Sequence, residues 1–513
     1  MTTPSTNRTV TTTYAEAPDA PSRTSLLDSL LIADASRTSP DALPAFLDSS
    51  TIRDALRNWF GQVPSISNIE EKLQLVRRLN ANVARIDDML SSQLNAVLHQ
   101  PEFQKLEAAW RGLWYLVDQV PDGANVKVRI LNASWRDLVK DQERALEFDQ
   151  SHLFRKVFSE EFGTPGGEPY GLLIGNYDVC HRPFPDHPTD DMAALRGISA
   201  VAAASFAPFV TGVDPRFYEL GSFAELEPTI DVAKTFEQLD FLKWRSLRED
   251  EDARFLGLIV PKLVLRQPYS DGPGNTHNFP FREETLDRDG YLWGNGAFGF
   301  ASVAMRAFAE SGWLAEIRGV RAGQNRAGVI SGLPAIETGT GFGFSTKSVT
   351  DVHLTDRQEK EISDLGFIPI CHLPDAGEAA FYTVPSIQNP KTYDDPTATA
   401  NARLSSMLQY MLCVSRIAHY LKVIVRDKVG SFITPSDCED VLRKWSQQYV
   451  VSNDSASYEM KAKYPLREAS VSVSEIPGKP GSYRCTMFLR PHFQLDQLSA
   501  GIKLTTQLTS RTD

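Results

Sequence analysis

Cysteine is scarce. Five residues, Cys180, Cys371, Cys413, Cys438 and Cys485, are spread through 513 positions with no CxxC spacing. An odd, scattered set excludes a disulfide framework and reads as reduced thiols of a cytoplasmic protein. Long apolar runs are missing too. No stretch approaches the roughly 20 residues that span a bilayer, and residues 1–22 hold no apolar segment of a secretory signal, so direct membrane insertion is not expected. Positive charge is in deficit, with a net charge of −12, which argues against a nucleic-acid partner whose phosphates need a basic patch. GxSxG, Walker and HExxH patterns are also absent. The first two would position a nucleophile or cradle a phosphate, and the last would hold zinc.

What is present is packing. In Trp244–Tyr269, interleaved charges lead into the apolar run Phe255–Val260, which resumes after Pro261 as Leu263–Leu265. A short, non-alternating run rich in β-branched residues and bounded by turn formers predicts a strand buried on both faces. Pro261 cannot donate a ladder hydrogen bond, so it marks that strand's end, edge or bulge. The flanking charges suggest a salt-bridged rim or a surface covered by another chain.

The chain divides into four expected regions. Residues 1–50 are Thr/Ser/Pro/Ala-rich and read as a flexible arm with one apolar island, where Leu26, Leu27, Leu30 and Leu31 share a helical face. That helix either docks on its own domain or is held out for another protein to grip. Residues 51–120 are helical. Ile69, Val76, Val83, Leu90 and Val97 recur every seventh position, with Leu73, Leu79, Ile86 and Leu94 beside them. This is a heptad-like stripe on a helix of roughly 45 Å at 1.5 Å per residue, interrupted by Asn80 and Asp87. So narrow a stripe calls for a helical partner, and that partner could belong to a second chain. Beyond Pro101, Phe103–Val120 forms a second helix carrying Leu106, Trp110, Leu113, Trp114 and Val117.

Residues 121–400 read as a central α/β domain, with strands at Val126–Leu131 and Tyr170–Gly175 and helices at Ala193–Ala207 and Phe298–Glu310. Residues 401–513 read as a C-terminal α/β subdomain. A helix over Asn401–Lys428 is followed by a hairpin in which Val471 and Val473 alternate with serines, then Tyr483, Cys485, Met487 and Leu489 alternate with polar residues. Asp496–Leu508 could add another strand.

Two motifs suggest chemistry. Gly294-Asn-Gly-Ala-Phe-Gly299 is formally GxGxxG, but a dinucleotide fingerprint needs an apolar strand running into its first glycine. Asp287–Trp293 reads instead as a turn, so the glycines are taken to admit close packing at a helix start. The cluster His181, Asp186, His187, Asp190 and Asp191 fits no ligand spacing and reads as a solvated loop rather than a metal site. No cofactor and no catalytic residue is expected.

The chain resembles the large subunit of the bacterial type VI secretion contractile sheath, the TssC/VipB family. The resemblance is carried by Phe103–Leu113, Tyr170–Tyr177, Ala194–Ser199, Arg254–Leu258 through Tyr269, Tyr291–Asn295, Leu365–Pro369, Tyr393–Arg403, Ala418–Lys422, Pro477–Tyr483 and Leu489–Leu495, in that order. It implies a mixed α/β (α+β) fold: a contractile-tail-sheath core with long N-terminal helices and a C-terminal β-hairpin. It implies a structural protein that pairs with the small sheath subunit (TssB/VipA), polymerises with its own copies on a baseplate around an Hcp tube, and contracts. The stripe Ile69, Val76, Val83, Ile86, Leu90 and Val97 would meet the small subunit. Val471, Val473, Tyr483, Cys485, Met487 and Leu489 would lie in strands linking neighbours, and Leu26–Leu31 would be gripped by the ClpV unfoldase. A non-contractile scaffold or adaptor, and a nucleotide-binding enzyme using Gly294–Gly299, are the alternatives.

Overall fold

A computed structural model describes residues 42–60, 68–226, 232–270, 279–285, 288–320, 327–339, 345–373, 376–428, 434–453, 456–475, 482–492 and 502–509. The arm with Leu26, Leu27, Leu30 and Leu31 lies outside the described residues. The chain forms two units, one of residues up to Phe103 with Pro268–Glu284, the other of Gln104–Gln267 with Thr285 onward.

The apolar run becomes the strand on which the larger unit is built. β1 (Leu173–Val179), β2 (Phe209–Val213), β3 (Leu256–Val260) and β6 (Phe367–Pro369) form a parallel sheet in the order β1-β2-β3-β6. Every residue of β3 is buried. Leu256, Leu258 and Val260 enter one apolar cluster with Leu195, Phe217, Trp244 and Phe367, while Ile259 enters another with Phe300, Ala301 and Phe381. Burial on both faces follows from the uninterrupted apolar sequence, since polar side chains on either side would have to be desolvated. Pro261 ends β3, and after it β4 (Leu263–Arg266) leaves to pair antiparallel with β5 (Leu292–Gly294).

The charges flanking β3 reach partners on other segments. Arg248 donates to the carbonyls of Ile387 and Asp364, and Arg245 to those of Phe236 and Gln238. Arg196 pairs with Asp250. The rim therefore ties distant loops to the sheet.

Three sequence expectations change. Val126–Leu131 has no ladder partner among the described residues. The strand near Gly175 runs from Leu173 to Val179, its inner end set by pairing with β2. The helix expected over Asn401–Lys428 is two, α7 (Pro396–Ser405) and α8 (Leu408–Lys428). The break occurs where Ser386 donates twice to the Ser406 carbonyl and Leu408 N–H turns to Val384, drawing the main chain out of its helical bonding. Leu404, Leu408, Met411, Ala418 and Leu421 are nevertheless all buried.

The C-terminal sheet is antiparallel: β7 (Leu466–Glu475), β8 (Ser482–Pro491) and β9 (Ile502–Thr509) in sequence order. The third strand expected near the C-terminus is present. Helix α9 (Pro435–Gln447), opened by a Thr434/Asp437 capping box, packs on β7.

Candidate functional site

The helix α1 (Ile69–Leu98) spans the range its periodicity predicts. Its three buried residues, Leu75, Asn95 and Leu98, are not the heptad positions. Glu284 N–H donates to Asn95 Oδ1, and His99 Nε2 lies 3.2 Å from Glu283 Oε1. The stripe lies between the directions of Leu75 and Leu98 and is left uncovered among the described residues. Ile69, Val76, Val83, Leu90 and Val97 are exposed, Val83 by 52%, and Ile86 is half-buried. Thirty residues of helix carry an apolar row that has no partner among the described residues, and such a row is a seam.

In α2 (Pro101–Asp118), Gly112, Tyr115 and Leu116 face the core. Tyr115 Oη lies 3.0 Å from Ser302 Oγ and donates to the Ser331 carbonyl at 2.9 Å, and burial pushes its phenol up to about 12. The opposite face exposes Leu106, Trp110, Trp114 and Val117, with Trp114 67% exposed. Tryptophans are enriched in the desolvated centres of interfaces. The sequence showed this helix, but not which face stays open.

The hairpin residues Val471, Cys485, Met487 and Leu489 are buried against Cys438, Leu442 and Leu466, and Val473 packs on that cluster. Only the backbone of Tyr483 is described, pairing with Leu508. These side chains serve the chain's own core, so any link to a neighbour runs through the main chain of the sheet. The outer edge of β7 is covered: Val473 N–H donates to Glu439 Oε2, Gln447 Nε2 to the Ala469 carbonyl, and residues 449–451 bond to Leu466. Covering an edge in this way prevents unwanted pairing. β9 is left as the outer strand.

The glycine motif is filled. A strand does run into Gly294, contrary to the turn expected there, because β4 recruits Leu292–Gly294. It is antiparallel, however, and not part of a βαβ unit. A Cβ at Gly296 would stand 2.6 Å from Ile259 Cγ2, one at Gly299 2.7 Å from Leu263 Cδ1, and one at Gly294 would overlap Leu265. Where a phosphate would lie, apolar side chains do. Asn295 instead donates to the Tyr177 carbonyl and to Asp178 Oδ1. At the carboxyl end of the sheet, where α/β folds commonly bind ligands, Lys262 Nζ lies 3.1 Å from Asp178 Oδ2 and Lys262 N–H donates to Asp351. Burial pushes Asp351 up to about 7.

The histidine and aspartate cluster disperses. Asp186 pairs with Arg216, Asp190 caps the helix α4 (Asp191–Ser205), and His181 stacks on Phe241 beside Glu219. Cys180, His187 and Asp191 do converge. Asp191 is already occupied, accepting from Trp135 Nε1 and Thr189 at 2.7 Å and from Cys180 N–H at 2.8 Å, with His187 Nε2 2.6 Å away. Burial pushes the Cys180 thiol up. This is a hydrogen-bond hub fixing the start of α4.

The geometry thus defines a protein of packing and contact surfaces. Two family profiles match the chain: EvpB/VC_A0108 tail sheath N-terminal domain over residues 80–388, and EvpB/VC_A0108 tail sheath gpW/gp25-like domain over 397–508. The type VI secretion system sheath protein TssC1 of Pseudomonas aeruginosa is 38% identical over 468 residues, covering 90% of this chain and 91% of that protein. The chain belongs to the VipB/EvpB family of type VI secretion sheath large subunits, and it is a structural subunit of a contractile sheath. Among solved structures, the anti-feeding prophage baseplate aligns at TM-score 0.31 with 10% identity, over 76% of this chain and 81% of that one. The contracted anti-feeding prophage sheath aligns at 0.28 with 11% identity, over 64% and 66%. Scores this low add nothing to the family assignment. Among the described residues, no helix is long and apolar enough to cross a membrane.

Proposed function

We propose that this chain pairs with a small sheath subunit of the TssB/VipA kind, and that the pair polymerises in the cytoplasm on a baseplate around an Hcp tube. The observation that carries this reading is the uncovered stripe Ile69, Val76, Val83, Ile86, Leu90 and Val97 on a 30-residue helix. A second helix laid along it would bury the row at a heptad seam. The role is non-catalytic. The nucleotide-like motif is packed with leucine and isoleucine, and the metal-like cluster found among the described residues is spent on internal hydrogen bonds.

The C-terminal sheet serves as the link between neighbours, through the backbone of β9. Val471, Val473, Tyr483, Cys485, Met487 and Leu489 hold its register from within. The four regions 1–50, 51–120, 121–400 and 401–513 then serve as unfoldase arm, small-subunit contact, sheath body and linking subdomain. Leu26, Leu27, Leu30 and Leu31 form the arm's handle for a ClpV-type unfoldase after contraction.

Co-expression with the small sheath subunit, viewed by negative-stain electron microscopy, tests the proposal. Long hollow tubules are the expected result. Discrete particles alone would overturn it in favour of an adaptor. Deleting residues 1–32 should leave the tubules intact and block their disassembly by the unfoldase, and failed assembly would refute the handle.

A further inference from the structure

Residues 126–131, VKVRIL, have the alternation of a strand but pair with no strand among the described residues. The segment is held at both ends. It leaves a turn in which Ala124 N–H donates to the Pro121 carbonyl and Gly123 adopts φ +76°. It ends where Tyr177 Oη donates to the Ala133 carbonyl at 2.7 Å and Ser134 opens the helix α3 (Trp135–Arg144) with a capping box. Between these anchors its polar side is tied down. Lys127 pairs with Glu168, and Arg129 pairs with Glu161 and Glu168 and lies over the Tyr170 ring.

The main chain is not tied down. From Val126 to Ile130, no N–H or C=O has a partner among the described residues. On the side away from the ion pairs, Val128 and Ile130 are exposed, Ile130 by 70%. A pinned segment with strand-like alternation, a bare row of donors and acceptors and an apolar face has the makings of an open strand edge.

We infer that residues 126–131 form a docking edge completed by a β-strand of a different polypeptide, one with apolar residues against Val128 and Ile130. A second copy of this chain does not fit. Any register that joins the apolar faces of two copies also places Lys127 and Arg129 of one on the same face as Lys127 and Arg129 of the other. Like charges directly opposite across a ladder are destabilising, and the carboxylates of each chain are already committed to their own cations. The occupant must therefore carry acidic or neutral polar residues on the face it turns toward Lys127 and Arg129. This rests on the proposed pairing with a small subunit and names a second foothold for that subunit.

Amide hydrogen exchange of the full chain, alone and co-assembled with the small sheath subunit, tests the inference. The amides of Val126–Ile130 should exchange freely in the isolated chain and slow by at least about 100-fold in the assembly. Val128→Pro, which removes one N–H from an exposed site, should leave thermal unfolding of the isolated chain unchanged and weaken co-purification at least about tenfold. Tubules whose residues 126–130 remain unprotected would overturn the inference while leaving the sheath reading standing. Protection that appears in the isolated chain as its concentration rises would also overturn it, in favour of self-pairing. If no complex forms, both readings fall.

Discussion

Glu107 on α2 and Arg266 on β4 form an ion pair 2.8 Å long in which the arginine is 7% exposed and the carboxylate 12%. The same Glu107 oxygen accepts from Arg111 at 2.7 Å. One carboxylate thus clamps α2 to the strand leaving the central sheet, and turns Trp110 and Trp114 outward. Glu107→Ala should destabilise the chain by about 1–3 kcal/mol, because a mostly buried guanidinium loses one of its bonding partners. Urea unfolding of the variant measures this, and a change below about 0.5 kcal/mol would show that the pair holds nothing.

Gly112 on α2 packs against the ring of Phe298, and a Cβ there would overlap it. Gly112→Ala should cost about 1–3 kcal/mol by overpacking. Phe298→Leu in the same chain should recover part of the loss, which a double-mutant cycle will register as a favourable coupling.

Val83 is half exposed and touches the seam rather than the core. Val83→Asp should change the stability of the isolated chain by no more than about 0.5 kcal/mol. It should abolish co-purification with the small subunit, since pairing would bury a carboxylate. A normal complex would remove the helix from the interface.

His419 is buried, with its Nε2 2.9 Å from the Ser205 carbonyl and its ring edge-on to Phe162. Burial pulls the imidazole down to about 4. Its folded pKa lies below its unfolded value, so the unfolded chain binds the extra proton first. Stability from this group is full above about pH 6.5 and is lost as pH falls toward 4. Thermal unfolding across that window should show a steeper acid limb in the native chain than in His419→Phe. Parallel limbs would refute the assignment.

Much of the architecture was legible in local pattern. The run Phe255–Val260 announced a doubly buried strand, the heptad residues announced α1, and alternation announced the hairpin of β7 and β8. The face of α1 left uncovered was not legible, because periodicity says which residues share a side and nothing about what covers it. The strand entering Gly294 was missed because Leu292–Gly294 has only three residues and is recruited by β4 from a distance. The break at Ser406 was missed for the same reason, since its carbonyl is claimed by Ser386, twenty residues earlier.

The sequence by itself determined which segments are apolar on one side, on both, or on neither, since hydration and backbone sterics act on neighbours along the chain. It also excluded a disulfide framework and offered no ordered set of reactive groups. The tertiary structure alone decided the strand order β1-β2-β3-β6, the filling of the glycine motif, and the spending of Asp191 on internal hydrogen bonds. It alone left the α1 stripe, the tryptophans of α2 and the backbone of residues 126–130 uncovered by any described residue. These are outcomes of long-range competition for partners, and a residue's own neighbours do not record who wins it.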